Sequence, residues 1–514
     1  MCGIFAALFP FMSETTMKPY FLEGTHRGPD NTTTCYANHN VWLGFHRLAI
    51  NGLDEASNQP FHMDGIHLIC NGEIYNYKEL YASLNIIPTT HSDCEIILHL
   101  YKKFGMEYAL HAIDASEFAF VLYDSNTETI YVARDPYGVR PLYQGAHRDT
   151  WCFASELKMI PPLYQVTPFA PGSVMTIKRN CHTVTKYCSL PSISKADISY
   201  SQVYQTLYEC VKKRVMNTER PMACLLSGGL DSSLIAYLVN ECRKELNIQT
   251  PLETYSIGLP GAEDLKYADI MANFLGSNHT SLVLSEQDFL NAIPEVIRAI
   301  ESRDTTTVRA SVGNYLICKH IREHSDAKII FNGDGADEVC GGYLYLKNAP
   351  SMWEFDKECR RLVNDIHLFD AQRSDRSISS HGLESRTPFL DRSFVELYMS
   401  IPPELRFTNC EKQFLRQSFL GKIPDVILLR KKEAFSDGVS SMSKSWYSII
   451  QEAIPSDILQ EHASSSSLLT AEQFYYKKIY DTYFYQDLLP YFWMPKYTTS
   501  TDCSARTLET YFTQ

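Results

Sequence analysis

Short apolar runs separated by turn signals fill the first 190 residues. Val41–Leu48, Ile66–Cys70, Phe118–Tyr123, Ile130–Ala133 and Ser173–Lys178 are rich in apolar and β-branched residues and predict strands. The apolar opening Met1–Met12 predicts a buried strand at the very N-terminus. One helix is predicted over Asp93–Phe104, where Ile96, Ile97, Leu100 and Tyr101 share a face. Mostly strands with few helices predict an α+β layered domain over residues 1–190. The polar stretch Ser189–Asp197 reads as a linker.

After about residue 200 the pattern becomes strand, loop, helix. Met222–Leu226 predicts a strand, Ser227–Asp231 a glycine loop and Ser232–Asn240 a helix. Thr254–Gly258 and Lys328–Phe331 predict further buried strands. This alternation predicts an α/β doubly wound parallel sheet within 200–514, with ligands at the C-terminal ends of its strands. Beyond residue 400 the pattern is mainly helical, and the serine run Ser464–Ser467 predicts a surface loop.

Composition narrows the class. The 514 residues are 45% hydrophobic and 21% charged, which suits a globular chain and not a disordered one. With 60 Asp and Glu against 47 Lys and Arg, the net charge is -13. That disfavours a nucleic-acid partner, though a few amides and lysines can still hold a nucleotide. The 15 cysteines show no C-x-x-C spacing, so reduced thiols and a cytoplasmic location are expected. No run approaches a membrane span, and Met1–Met12 lacks the basic residues of a signal peptide.

Two clusters carry candidate chemistry. Loss of Met1 would leave Cys2 with both a thiol and a free α-amine, the arrangement of an N-terminal nucleophile. The strand–loop–helix segment carrying Ser227-Gly228-Gly229-Leu230-Asp231-Ser232 predicts a phosphate cradle, because glycines admit close approach at a helix N-terminus. It is not a Walker A loop, since no Gly-Lys-Ser/Thr follows.

The motifs around Cys2 are His26–Asp30, Gly44–Leu48, Asn71-Gly72-Glu73-Ile74-Tyr75-Asn76 and Ser92–Glu95. In this order they resemble the glutaminase domain of class II glutamine amidotransferases, an N-terminal-nucleophile fold of αββα type. The second loop resembles that of ATP pyrophosphatases. Ser256–Gly261, Thr305–Ala310, Gly333–Glu338, Gly382–Arg386, Pro388–Asp391 and Arg430–Gly438 extend the match over nearly the whole chain. The combination resembles the glutamine-hydrolysing asparagine synthetases of the bacterial and eukaryotic B type.

That resemblance implies ATP-dependent amidation of aspartate by ammonia from glutamine, through β-aspartyl-AMP. It assigns Cys2 as nucleophile, Asn71 and Gly72 as oxyanion hole, and Arg47, Leu48, Ile50, Asn71, Gly72, Glu73 and Asp93 as glutamine contacts. ATP falls to Leu225, Ser227, Gly228, Gly229, Asp231, Ser232, Ile257, Asn332 and Gly333. Thr306, Thr307, Arg309, Asp337 and Glu338 are placed at the aspartate and adenylate. Asp231 and Asp337 are assigned to Mg²⁺, Lys432 to the departing pyrophosphate, and Asp264 and Asp370 to metal or substrate ordering. The family also implies an enclosed ammonia passage and a homodimer, with neither membrane nor nucleic acid as partner.

Three positions depart from the family pattern. Asp334 stands where Glu is usual, so the reach of a carboxylate assisting ammonia attack is shorter. Asn332 replaces Ser, and Ser116-Glu117-Phe118 lacks the customary glycine. Rival readings are a synthetase with another carboxylate acceptor, a non-catalytic ATP-binding relative, and an amidotransferase with a sugar-phosphate or phosphoribosyl acceptor. The intact Cys2, Arg47, Asn71, Asp93 and Lys432 oppose the second; the phosphate loop opposes the third.

Overall fold

Successive side chains on a strand face opposite ways, so a strand apolar at every position must be covered on both faces. Gly3–Leu8 is such a strand in the computed structural model, which describes residues 1–114, 117–178, 181–194 and 197–511. Ile4, Ala6 and Leu8 pack toward a second sheet, against Ile69, Val121 and Val132. Phe5 turns the other way, its ring 5.8 Å from that of Phe21 on the helix Glu14–Leu22.

The chain divides into two units. The first comprises Met1–Ser189 with Met216–Pro221 and Ser379–Glu384. It holds two antiparallel six-stranded sheets. In spatial order one runs Gln165–Pro168, Tyr143–His147, Thr150–Ala154, Gly3–Leu8, Val41–Arg47 and Asn31–Asn38. The other runs Cys181–Lys186, Ser173–Lys178, Thr129–Arg134, Phe118–Asp124, Ile66–Gly72 and Phe61–Met63. One core lies between the sheets; a second packs Leu68, Phe118, Phe120 and Leu122 against Ile96, Ile97 and Leu100 of the helix Ile96–Phe104. Helix, sheet, sheet, helix is the expected layering.

The second unit, Leu190–Val215, Met222–Ile378 and Ser385–Gln514, is built on a five-stranded sheet. Asn278–Val283, Glu253–Gly258, Met222–Leu225 and Ile329–Phe331 are parallel neighbours in that order. The helix predicted at Ser232–Asn240 begins earlier and ends later, Leu230–Glu245, so the loop's Asp231 lies inside its first turn. Helices continue to Tyr480, and the described chain then runs irregularly to the turn Ala505–Thr507. The described cysteines are all free thiols. Among the described residues no helix is long and apolar enough to cross a membrane. Ser116, Lys195 and Ala196 lie outside the described residues.

Candidate active sites

In the first unit, the antiparallel register Gly3↔His46 sets Cys2 beside the end of Val41–Arg47. The Cys2 Sγ lies 3.4 Å from the Leu48 amide and 3.6 Å from its carbonyl. The Cys2 nitrogen donates to Asn71 Oδ1 at 3.0 Å. Asn71 is the last residue but one of the strand Ile66–Gly72, and its Nδ2 is a buried donor without an acceptor among the described residues. Such an orphan donor is costly unless a ligand oxygen satisfies it. Gly72 follows, and a Cβ there would come within 2.6 Å of the Glu117 carbonyl and the Phe118 side chain, so only glycine fits.

The small cavity beside the thiol is lined by Cys2, Arg47, Leu48, Ile50, Gly72, Glu73 and Asp93. Arg47 is held by the Asp54 carbonyl at 2.8 Å, Asn58 Oδ1 at 2.8 Å and the Gly52 carbonyl. No carboxylate pairs with it among the described residues, so its charge is available to an anion. Glu73 accepts from Asn51 at 2.9 Å and Asn217 at 3.0 Å; Asp93 accepts from the Ile74 amide at 2.6 Å. One guanidinium and two carboxylates on one small wall complement a zwitterionic amino acid.

Burial pushes the Cys2 thiol up to about 11, although a nearby ammonium pulls it down. Only ~10⁻⁴ of such a thiol is ionised at neutral pH, so attack needs a base at hand. Asn51, Ser57 and Gln59 also line or brace this cavity from an irregular loop; no motif in the sequence singles them out.

The second unit holds a larger cavity, about 1300 Å³ of space open to solvent at the C-terminal ends of its strands. Gly228 turns the chain with φ +69°, and a Cβ there would sit 2.3 Å from the Ala268 nitrogen. The following helix therefore presents its free amides to the cavity. Ser227 and Ser232 brace the loop, their hydroxyls 3.0 Å apart. Leu225, Ser227, Gly229, Asp231, Ser232, Ile257, Asn332 and Gly333 line the wall, as do Thr306, Asp334, Asp337, Glu338, Asp370 and Lys432. Asp334 Oδ2 is buried without a partner among the described residues.

Three predicted residues are not on the wall: Gly228 makes the turn behind the loop, and Thr307 and Arg309 are engaged elsewhere. Thr307 donates to Asp304 at 2.7 Å in a helix cap. Arg309 is engaged by Glu472 at 2.8 and 2.6 Å and by Asp502 at 2.7 and 2.9 Å. Asp264 lines the cavity but is paired with Arg430 at 2.7 Å. Burial holds its carboxyl up at about 6 despite that guanidinium.

Two further basic residues complete the site. Lys412 Nζ lies 2.6 Å from both oxygens of Asp231 and also pairs with Asp337. Arg373 reaches Asp334 at 2.7 Å and Asp370 at 3.2 Å. Lys432 contributes its Nζ to Asp337 at 2.6 Å. Burial would raise Asp337, but the two ammonium groups outweigh it and hold the carboxyl well below its usual range. Glu338 is the opposite case. Burial, then the adjacent Asp370, raises it well above the usual range. Lys412 precedes a six-residue helix with φ +55°, outside any motif read from the sequence.

Both units match known protein families. Residues 1–171 match the family model described as glutamine amidotransferase domain, and 202–357 and 353–487 match asparagine synthase. The asparagine synthetase [glutamine-hydrolyzing] of Gallus gallus is 38% identical, over 99% of this chain and 99% of its own length. The Homo sapiens protein of the same name is 37% identical over the same shares of both chains.

Proposed function

The chain belongs to the family of glutamine-hydrolysing asparagine synthetases, and from that membership we propose how its residues divide the work. It is an enzyme that makes asparagine from aspartate and glutamine at the expense of ATP. The observation that carries the residue assignments is the convergence of Cys2 and Arg47 on one cavity, with Asn71 bonded to the Cys2 nitrogen, and of the phosphate loop, Asp334 and Lys432 on another.

In the first cavity Arg47 takes the α-carboxylate of glutamine, and Glu73 and Asp93 take its α-ammonium. Removal of Met1 turns the Cys2 nitrogen from an amide into an amine, which accepts the thiol proton. The sulfur attacks the side-chain amide, and Asn71 Nδ2 donates to the oxyanion with the Gly72 amide. Ammonia leaves, and water hydrolyses the thioester to glutamate. Asn71→Ala is expected to lower kcat for glutamine hydrolysis roughly 10²–10³-fold, the scale for one lost oxyanion donor. Steady-state glutamate release measures it; a wild-type rate would remove Asn71 from the oxyanion hole.

In the second cavity Leu225 and Ile257 flank adenine, while Ser227, Gly229 and Ser232 hold the phosphates. Asp231 and Asp337 converge on the Lys412 ammonium, an all-oxygen anionic pair of the kind that binds Mg²⁺ together with phosphates. Bound there, Mg²⁺ would neutralise phosphate charge as the α-phosphorus is attacked. Lys432 stabilises the pyrophosphate that leaves when the aspartate side-chain carboxylate takes AMP. Ammonia then attacks the acyl-adenylate, and Asp334 Oδ2 receives the proton it loses. Asparagine and AMP result.

A further inference from the structure

The last described stretch bears on the loop that carries Lys432. After Tyr480 the chain has little regular structure, yet it is anchored along its length. Arg303 donates to Asp487 at 2.8 Å, the Trp493 amide to Asp304 at 2.7 Å, and Arg309 to Asp502. Beyond Asp502 the partners change to residues 431–441. Ser504 Oγ and the Ala505 amide donate to the two oxygens of Asp437 at 2.7 and 2.9 Å. Arg506 Nε donates to Glu433 Oε1 at 2.7 Å, and its Nη1 donates to the Ser441 carbonyl at 2.7 Å. The Tyr511 hydroxyl donates to the other Glu433 oxygen, and Lys431 donates to the Tyr511 carbonyl.

Residues 430–434 form neither helix nor strand, so ladder bonds do not fix Lys432 in place. Its neighbours on both sides are instead held by this C-terminal stretch. The Arg506–Glu433 pair is largely buried, with side chains 5% and 10% exposed, where a charge-assisted bond is shielded from solvent. A catalytic ammonium must be held to within a fraction of an ångström to stabilise a leaving group.

We propose that Asp502–Tyr511 is a clamp on the synthetase loop, in which Arg506 and Tyr511 are positioning residues that act on Lys432 through Glu433. Arg309 belongs to the same device: it secures Asp502, the hinge of the clamp, from the helix that also bears Thr306. The inference rests on the role proposed above for Lys432, and it adds a determinant far along the chain from every motif in the sequence.

The test uses the full chain with ammonia as nitrogen donor. Arg506→Ala is expected to lower kcat for asparagine synthesis about tenfold or more, as for a displaced catalytic group, with KM for aspartate within about twofold of wild type. Trypsin should cut after Lys431 and Lys432 about tenfold faster, because the released loop opens more often. Glutamine hydrolysis should stay at the wild-type rate, and Arg506→Lys should recover part of kcat. Tyr511→Phe removes a single hydroxyl and gives the same changes in smaller measure, should Arg506→Ala fold poorly. Combining Glu433→Arg with Arg506→Glu should restore slow cleavage.

Wild-type cleavage in both Arg506→Ala and Tyr511→Phe would overturn the clamp. So would a kcat loss matched by equal loss of glutamine hydrolysis, the mark of general destabilisation. Lys432→Ala separates the two ideas. Wild-type kcat in that variant would refute the lysine's role, while the tryptic result would still decide whether the loop is clamped.

Discussion

Replacing Cys2 by Ala should abolish asparagine formation from glutamine and leave formation from ammonia intact. The sulfur is the atom that bonds to the glutamine carbonyl, and Cys2 is the cysteine whose own nitrogen donates to Asn71 Oδ1. Cys70 and Cys94 line the same cavity, but they lie on the strand Ile66–Gly72 and the turn Asp93–Glu95, away from the chain's own amine. The expected loss in glutamine hydrolysis is roughly 10⁴-fold or more, as when a nucleophile is deleted from a covalent mechanism. Alanine removes one atom from a half-buried position, so the unit keeps its fold. Ammonia supplied from solution enters after the step that needs Cys2. Loss of both activities in a folded Cys2→Ala protein would contradict this division of labour.

Asp334→Asn should separate activation from amidation. The carboxylate has one oxygen on Arg373 at 2.7 Å and the other buried without a partner among the described residues, at the cavity wall. Asparagine keeps the shape and can still accept from Arg373, but it cannot take a proton. Aspartate-dependent exchange of pyrophosphate into ATP should therefore persist, while asparagine formation falls roughly 10²–10⁴-fold, the usual range for a general base. Equal loss of exchange and amidation would move Asp334 to the activation step. Unchanged amidation would show that the carboxylate is dispensable. Asp334→Glu restores the residue usual in the family, so its rate tests whether the shorter side chain here suits its surroundings.

Much of the layered unit is legible because its signals are local. The continuous apolar runs Gly3–Leu8 and Phe118–Tyr123 report burial on two faces, and the glycine loop announces its own turn. The structure joins the Cys2 nitrogen to Asn71 and sets Asp231 and Asp337 on one cavity wall. Lys412 and Arg373 escape notice because a lone basic residue in a short helix or loop has no pattern; only the tertiary fold brings their charges onto Asp231 and Asp334. Arg309 is turned from the cavity wall for a reason equally remote in sequence. It sits three residues from Thr306 on one helix, yet Glu472 and Asp502, over 160 positions away, take its donors. The tail after Tyr480 is silent in the sequence because irregular chain held by side chains shows no periodicity.

The net charge of -13 says little about anionic ligands, since their sites gather Arg47, Arg373, Lys412 and Lys432 locally. The central claim is the coupling of glutamine hydrolysis to adenylation of aspartate. It is tested most directly by supplying glutamine, aspartate and Mg²⁺-ATP and measuring every product. The account predicts glutamate, asparagine, AMP and pyrophosphate, with AMP, pyrophosphate and asparagine formed in equal amounts and only when aspartate is present. ADP and phosphate in place of AMP and pyrophosphate, or products formed without aspartate, would contradict it.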